Sequence, residues 1–411
     1  MPKKFKIFLA LTAMFTLILS GTALVSKAES ENEPAKRKIV VFKTEVDEIT
    51  KQALINKAGA EKIKDLRLIR GQAVKLTAQA EKALDKEDGV LRIDDDIQVS
   101  ALAKDETGAS AESRGVKNGR NKPKPQPVKS MPWGIDRIDA ELVWPSGNTA
   151  DPIKVGIIDT GIDTAHPDLQ ANLKGGVSTV SYTASYNDDN GHGTHVAGIT
   201  AALDNTIGVI GAGPNIDLYA IKVLDRNGSG WLSDIIEGLD WAIANHLQVV
   251  NMSLGASSDV QSFHDAVIRA NAAGIVEVVA AGNSGGAVIY PAAYPEVIAV
   301  SATDSANTIA SWSSRGPEVD LAAPGVSIYS TYKGSTYATL SGTSMAAPHV
   351  TGSAALVLNT PVGAYDVDFD SVWDPAEVQQ KLQDRATDLG ASGFDNLYGY
   401  GLVNAFNAVQ P

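Results

Sequence analysis

The chain has 411 residues, 44% of them hydrophobic and 20% charged, an ordinary globular composition too long for one core, so two or three folded units are expected. It contains no cysteine, which excludes thiol catalysis, disulfide scaffolds, iron–sulfur clusters and thiolate zinc sites. The net charge of −13 argues against nucleic-acid binding and is unevenly spread: residues 1–129 hold 25 Lys/Arg against 18 Asp/Glu, and the rest hold 10 against 30.

Residues 1–28 read as a secretory signal. Lys3, Lys4 and Lys6 precede an apolar run from Ile7 to Val25, and Ser26-Lys27-Ala28 offers small residues for cleavage near Ala28–Glu29. A retained anchor is the alternative. No later segment has the length and apolarity to span a membrane, so a secreted product free of the membrane is expected.

Residues 29–102, folded from about 36, form a small α+β unit. Lys38–Phe42 is a strand, 48–58 a helix, Leu66–Leu76 a strand pair, 77–86 a second helix and Val90–Val99 another extended segment. Residues 103–129 are polar and end in Lys-Pro-Lys-Pro-Gln-Pro, an exposed linker.

From residue 130 the pattern becomes α/β. Ile153–Ile158, Ile216–Leu224, Val249–Leu254, Ile275–Ala280 and Val297–Ser301 are short, apolar and β-rich, as buried parallel strands are. Helices are predicted between them, over 233–245 with Ser233 as N-cap and from Ser258 to about Ala273 behind a Ser258/Gln261 capping box. A further helix covers Val350–Leu358. The expected fold class is α/β: a doubly wound, mostly parallel sheet with helices on both faces, preceded by the small α+β domain. A TIM barrel fits less well, because the strand spacing is irregular.

Four polar segments carry chemistry. Asp159 ends a buried strand in Val-Gly-Ile-Ile-Asp-Thr-Gly, His192 lies in Asn-Gly-His-Gly-Thr-His-Val-Ala-Gly, and Ser344 lies in Ser-Gly-Thr-Ser-Met-Ala-Ala-Pro-His. A serine nucleophile needs a base, and the base needs a carboxylate to hold its tautomer. In Ala-Ala-Gly-Asn-Ser-Gly, Asn283 follows a strand and could point its amide at a developing oxyanion.

Together these motifs resemble the secreted subtilisin-like serine proteases, the subtilases, from about Met131 to Asn407. The resemblance implies that Asp159 orients the imidazole, His192 is general base and then acid, Ser344 is the nucleophile, and Asn283 with the Ser344 N–H forms the oxyanion hole. His195 and His349 fall on structural positions. One cleft edge is implied at Gly228, Ser229, Gly230 and Leu232, the other at Ser253, Leu254 and Gly255, and the primary pocket at Ala280, Ala281, Gly282 and Ile289. The loop after Asn283 is shorter than in well-known members, and Ile289 replaces a glycine. A trimmed pocket favouring small or medium apolar residues follows.

The resemblance also implies structural calcium, none being needed for catalysis. A tight site falls on Asp168, Asn205 and the carbonyls of Leu203, Ile207 and Val209, with Lys129 where the family has glutamine. A weaker site falls on the carbonyls of Ala292, Tyr294 and Val297. Asp366, Asp368 and Asp370, in an insertion spanning Thr360–Pro375, form a third candidate or merely an acidic loop. Residues 36–102 resemble the family's inhibitory propeptide, with first processing near Leu102–Ala103. The expected protein is a monomeric, self-processing zymogen of a broad-specificity endopeptidase acting on protein or peptide substrates. A narrow precursor processor, an inactive peptide-binding homologue and a lipase-like hydrolase are the alternatives; the last needs a different residue order.

Overall fold

The computed structural model describes residues 34–103 and 125–411. The predicted signal and residues 104–124 of the predicted linker lie outside the described residues. The chain divides into two compact units, one ending at Asp65 and resuming over Arg70–Asp95, the other made of Leu66–Ile69 and Asp96–Pro411.

In the first unit β1 (Lys36–Phe42), α1 (Glu48–Lys57), β2 (Glu61–Leu66), β3 (Gly71–Leu76), α2 (Ala78–Leu84) and β4 (Val90–Asp95) form a sheet of order β2-β3-β1-β4 with two helices. Period-two alternation puts Val40 and Phe42 of β1 on one face, where they meet Val74, Leu76, Ile55 and Leu84. Asp47 and Thr77 cap the helices by accepting from the Thr50 and Ala80 N–H groups. Strand β2 begins five residues ahead of the predicted pair. It is an edge strand of sequence Glu-Lys-Ile-Lys-Asp-Leu, and such polarity hides a strand from an apolar-pattern reading. The predicted extended segment Val90–Val99 breaks after Asp95.

The second unit opens with β5 (Gln98–Ala101) and α3 (Trp133–Arg137), followed by β6 (Lys154–Asp159), β7 (Leu173–Ser178) and α4 (His192–Ala201). Next come β8 (Asp217–Lys222), β9 (Ser229–Trp231), α5 (Leu232–Ala244), β10 (Val249–Met252), β11 (Leu254–Gly255), α6 (Gln261–Ala272), β12 (Val276–Ala280) and β13 (Ile298–Thr303). The unit closes with β14 (Leu321–Pro324), β15 (Ile328–Tyr332), β16 (Thr336–Leu340), α7 (Thr343–Leu358), α8 (Pro375–Asp384) and α9 (Ala405–Ala408).

Seven strands form one sheet of order β14-β13-β12-β10-β6-β8-β7, and its neighbouring pairs are parallel. The order reverses around β6 and β10, and a doubly wound sheet opens a crevice at the carboxyl ends of the strands at such a point. Asp159 and Ser253 stand there, at and just beyond the ends of β6 and β10. The edge strands β7 and β14 escaped the apolar pattern.

Helices α4 and α7 run through the core, with every residue of α4 and Thr343–Val357 of α7 buried. Their Gly, Ala, Ser and Thr residues allow that depth. Helix α7 starts seven residues before the predicted Val350. The Ser258 cap is also corrected: α6 starts at Gln261, and Val260 at its cap position makes no side-chain bond.

Candidate active site

Strand β6 delivers Asp159 fully buried, and the Val223 and Leu224 N–H groups hold its carbonyl at 2.9 and 3.1 Å. The Thr160 N–H donates to its Oδ1 at 2.6 Å. His192 is the first residue of α4, and its Nδ1 lies 2.8 Å from both carboxylate oxygens of Asp159. A Cβ on the next residue, Gly193, would stand 2.2 Å from the Gly161 carbonyl, so glycine lets the helix start against the aspartate turn.

Asp188, which sequence reasoning did not single out, organises this corner. Gly191 occupies the α4 cap position and offers no side chain. Asp188 caps instead: Oδ1 accepts from the Asn190 and Gly191 N–H groups and the Thr160 hydroxyl, and Oδ2 from the Thr194 N–H and hydroxyl. An aspartate just ahead of a helix start was its available signal. Burial works against a charged His192, but the Asp159 and Asp188 carboxylates outweigh it and hold the imidazole above its ordinary pKa. His195 and His349 do not join the cluster. Burial pushes them down to about 3 and about 4, and their ring nitrogens bond main-chain carbonyls.

Ser344 lies in the first turn of α7. Pro348, four residues on, has no N–H and leaves the Ser344 carbonyl without a helical donor; the Ser253 hydroxyl fills the gap at 3.0 Å. The Ser344 hydroxyl donates to the Ser253 carbonyl at 3.1 Å, and His192 Nε2 has no hydrogen-bond partner. The Ser344–His192 bond is therefore not made. Asn283 accepts from the Thr343 N–H and hydroxyl through Oδ1, which aims Nδ2 at the Leu102 carbonyl 2.5 Å away.

That carbonyl ends an extended segment seated among the predicted cleft residues. Strand β5 is the middle of a three-stranded antiparallel sheet, β11-β5-β9, pairing Val99 with Gly230, Ser100 with Ser229 and Ala101 with Leu254. The Ala101 and Leu102 N–H groups donate to the Gly228 and Ser253 carbonyls at 2.9 and 3.2 Å, and the Leu232 N–H donates to the Ile97 carbonyl at 2.9 Å. Ser233 is not the α5 cap. Its N–H and hydroxyl donate to the carboxylate of Asp96 at 2.9 and 3.0 Å, so the segment before β5 caps the helix. Ile289 packs against two of the predicted cleft and pocket glycines: a Cβ on Gly255 or Gly282 would meet its side chain at 2.6 or 3.2 Å. Ala280 and Ala281 are fully buried beside it.

The five predicted residues of the tight cation site share one corner. Asp168 is fully buried, and its carboxylate accepts only neutral donors: the Asn205 amide, the Val209 N–H and the Tyr337 hydroxyl, at 2.7, 2.9 and 3.2 Å. Asn205 Oδ1 accepts from the Ile207 N–H, and the Leu203 carbonyl from the Asn205 N–H. Burial raises the Asp168 pKa. A buried carboxylate can offer oxygen to a hard cation such as calcium, although the groups bonded to this one are N–H and O–H donors. Lys129 pairs with Asp204, and its N–H and that of Ser130 donate to the Thr206 and Gly208 carbonyls.

At the second site Tyr294 and Val297 line a cavity of about 350 Å³ together with Glu318 and Asp320, two carboxylates missed in the sequence; Ala292 does not line it. Asp320 is already met by the Gln379, Gln383 and Ala299 amides, and burial pushes it up to about 6. Asp366, Asp368 and Asp370 bring carboxylate oxygens within 4.8 Å of one another. The Asp370, Ser371 and Val372 N–H groups donate to them.

A model of the subtilase family matches residues 150–401. The chain is 40% identical to subtilisin E of Bacillus subtilis (strain 168) over 410 residues, 98% of this chain and 97% of that protein. It is 40% identical to an alkaline protease of Alkalihalobacillus alcalophilus over 409 residues, 96% of this chain and 97% of that one. It is 48% identical to subtilisin Savinase of Lederbergia lenta over 284 residues, 69% of this chain and all of that one.

Proposed function

Because the chain belongs to the subtilase family and is an extracellular serine protease, we propose that it is a self-processing endopeptidase whose first substrate is its own Leu102–Ala103 bond. The observation that carries this reading is the Leu102 carbonyl, 2.5 Å from Asn283 Nδ2, at the end of a strand paired into the cleft.

Ser344 Oγ turns from the Ser253 carbonyl towards His192 Nε2, which takes its proton as Oγ attacks the Leu102 carbonyl carbon. Negative charge develops on the oxygen that faces Asn283, a fixed donor whose own oxygen is locked by Thr343. Asp159 holds the proton on Nδ1 and stabilises the imidazolium. His192 then protonates the departing Ala103 amine, and water, deprotonated by the same imidazole, hydrolyses the Leu102–Ser344 ester.

Residues 36–102 remain as an inhibitor, and the linker is trimmed towards Val128. Substrates enter as β5 does, through main-chain bonds indifferent to side chains, which supports broad specificity. Ile289 restricts the primary pocket to residues of about leucine size or smaller. Asp168, Asn205 and the carbonyls of Leu203, Ile207 and Val209 would hold calcium, whose contribution is stability rather than chemistry. Ligation needs the Asn205 amide to turn, since its nitrogen faces Asp168.

Expression of the full chain and of Ser344→Ala tests the proposal. The parent chain should yield a new N-terminus at Ala103 and hydrolyse a peptide anilide, whereas the variant stays uncut and inactive. Cutting or turnover by Ser344→Ala would overturn it.

A further inference from the structure

Beside the Asp159–Thr160 turn stands a buried cation that the chemistry above does not use. Lys222, the last residue of β8, is fully buried. Its ammonium donates to the Thr160 carbonyl at 2.7 Å, the Leu224 carbonyl at 3.0 Å and Asp189 Oδ1 at 2.7 Å. Three donors meet three acceptors, so the group is saturated. Asp189 is itself held from the other side, where the Tyr182 hydroxyl donates to its Oδ2 at 2.7 Å.

Taking an ammonium out of water costs several kcal/mol, and a methionine would fill the same volume without that penalty. Core packing alone does not call for a lysine here. What the ammonium grips is specific: the carbonyl immediately after Asp159. The Asp159 carbonyl is held by the Val223 and Leu224 N–H groups, and the Thr160 hydroxyl by Asp188. Lys222 supplies the remaining restraint on the Asp159–Thr160 turn and ties it to the Leu224 carbonyl two residues beyond β8. With the turn so held, the Thr160 N–H stays on Asp159 Oδ1 and keeps the carboxylate against His192 Nδ1.

We propose that Lys222, anchored by Asp189, is a positioning residue for the reaction, setting the Asp159 carboxylate against His192. The inference rests on the reading of Asp159, His192 and Ser344 as the catalytic triad. Lys222 touches no substrate, so its removal should slow turnover and leave substrate binding alone; a misplacement of about 1 Å can cost roughly a hundredfold in rate.

The test uses the full chain carrying Lys222→Met or Asp189→Ala, with kcat and KM measured per active site titrated by a serine-directed covalent reagent, so that misfolded protein does not count. Lys222→Met should lower kcat at least 20-fold with KM within twofold of the parent. Asp189→Ala, at a partly exposed residue, should lower kcat about fivefold with the same split. A kcat per titrated site within twofold of the parent in either variant, or a KM that rises as kcat falls, would overturn the proposal. Asp189→Ala alone decides if Lys222→Met does not fold. Ser344→Ala serves as control: if it remains active the triad reading fails, whereas an inactive control beside unimpaired Lys222 and Asp189 variants removes only this inference.

Discussion

Replacing Glu277 by glutamine should stabilise the catalytic unit, and by more as pH rises. Glu277 sits in the middle of β12, opposite Val250 of β10; it is 1% exposed, and neither carboxylate oxygen has a hydrogen-bond partner. Burial and then the charge of Glu296 push its pKa well above the ordinary 4.5. A carboxyl whose folded pKa is raised contributes fully below its unfolded pKa and loses that contribution as pH climbs towards the folded value. The loss is about 1.4 kcal/mol per pH unit while the folded group stays protonated. Between pH 4.5 and 6.5 the parent chain should therefore lose stability relative to Glu277→Gln, by about 2.3 kcal/mol at the most. For a unit of about 300 residues this is a Tm difference of roughly 4 °C. Thermal melts of both chains in a Ser344→Ala background, which prevents autolysis, would measure it. Parallel Tm curves across that range would refute the reasoning, since glutamine is equally unpartnered but cannot ionise.

Asp188→Asn removes one of the two carboxylates that favour a charged His192. The acid limb of kcat/KM, where activity is lost as His192 takes up a proton, should move to lower pH, and a pH–rate profile checks this. Ile289→Gly should open the primary pocket and raise the Phe-to-Leu ratio of kcat/KM roughly tenfold or more on peptide anilides. Asp96→Ala deprives Ser233 of a buried charged acceptor, a loss of about 1.5–3 kcal/mol. The cut chain should then release residues 36–102 sooner, seen as a shorter lag before activity appears. Chelation should lower the Tm of the Ser344→Ala chain by roughly 4 °C, as about 2.7 kcal/mol of binding at a hundredfold excess over Kd requires, and Asp168→Asn should abolish that response.

The site was legible because its residues sit in short, glycine-flanked motifs at strand ends, where local sequence and global geometry coincide. Asp159, His192, Ser344 and Asn283 needed only their neighbours to be found. Asp188 and Lys222 were missed because part of their meaning lies in partners distant in the chain: Thr160 is 28 residues from Asp188 and 62 from Lys222, and Asp189 is 33 from Lys222. The strand at Ile275–Ala280 was read as uniformly apolar although Glu277 lies within it, because five flanking apolar residues dominate any local average. The edge strands β2 and β7 were invisible for the opposite reason, having too little buried face to leave a pattern, whereas β14 is buried throughout but only four residues long. The start of α7 was placed late because Pro348 and small residues suggest a turn, whereas tertiary contacts sustain a helix through them.

Departure of β5 would leave β9 and β11 facing each other across a vacancy one strand wide, about 9.6 Å between their axes. Bare strand edges ordinarily invite unwanted pairing, but two recessed edges at this separation exclude any other strand pair, and a helix with its side chains is 10–12 Å across. Only a single chain pulled straight can bond to both rails. The enzyme would therefore discriminate less between sequences than between states of its victims: a folded protein is spared for as long as it keeps its segments wound or paired, and its lifetime is set by how often it frays.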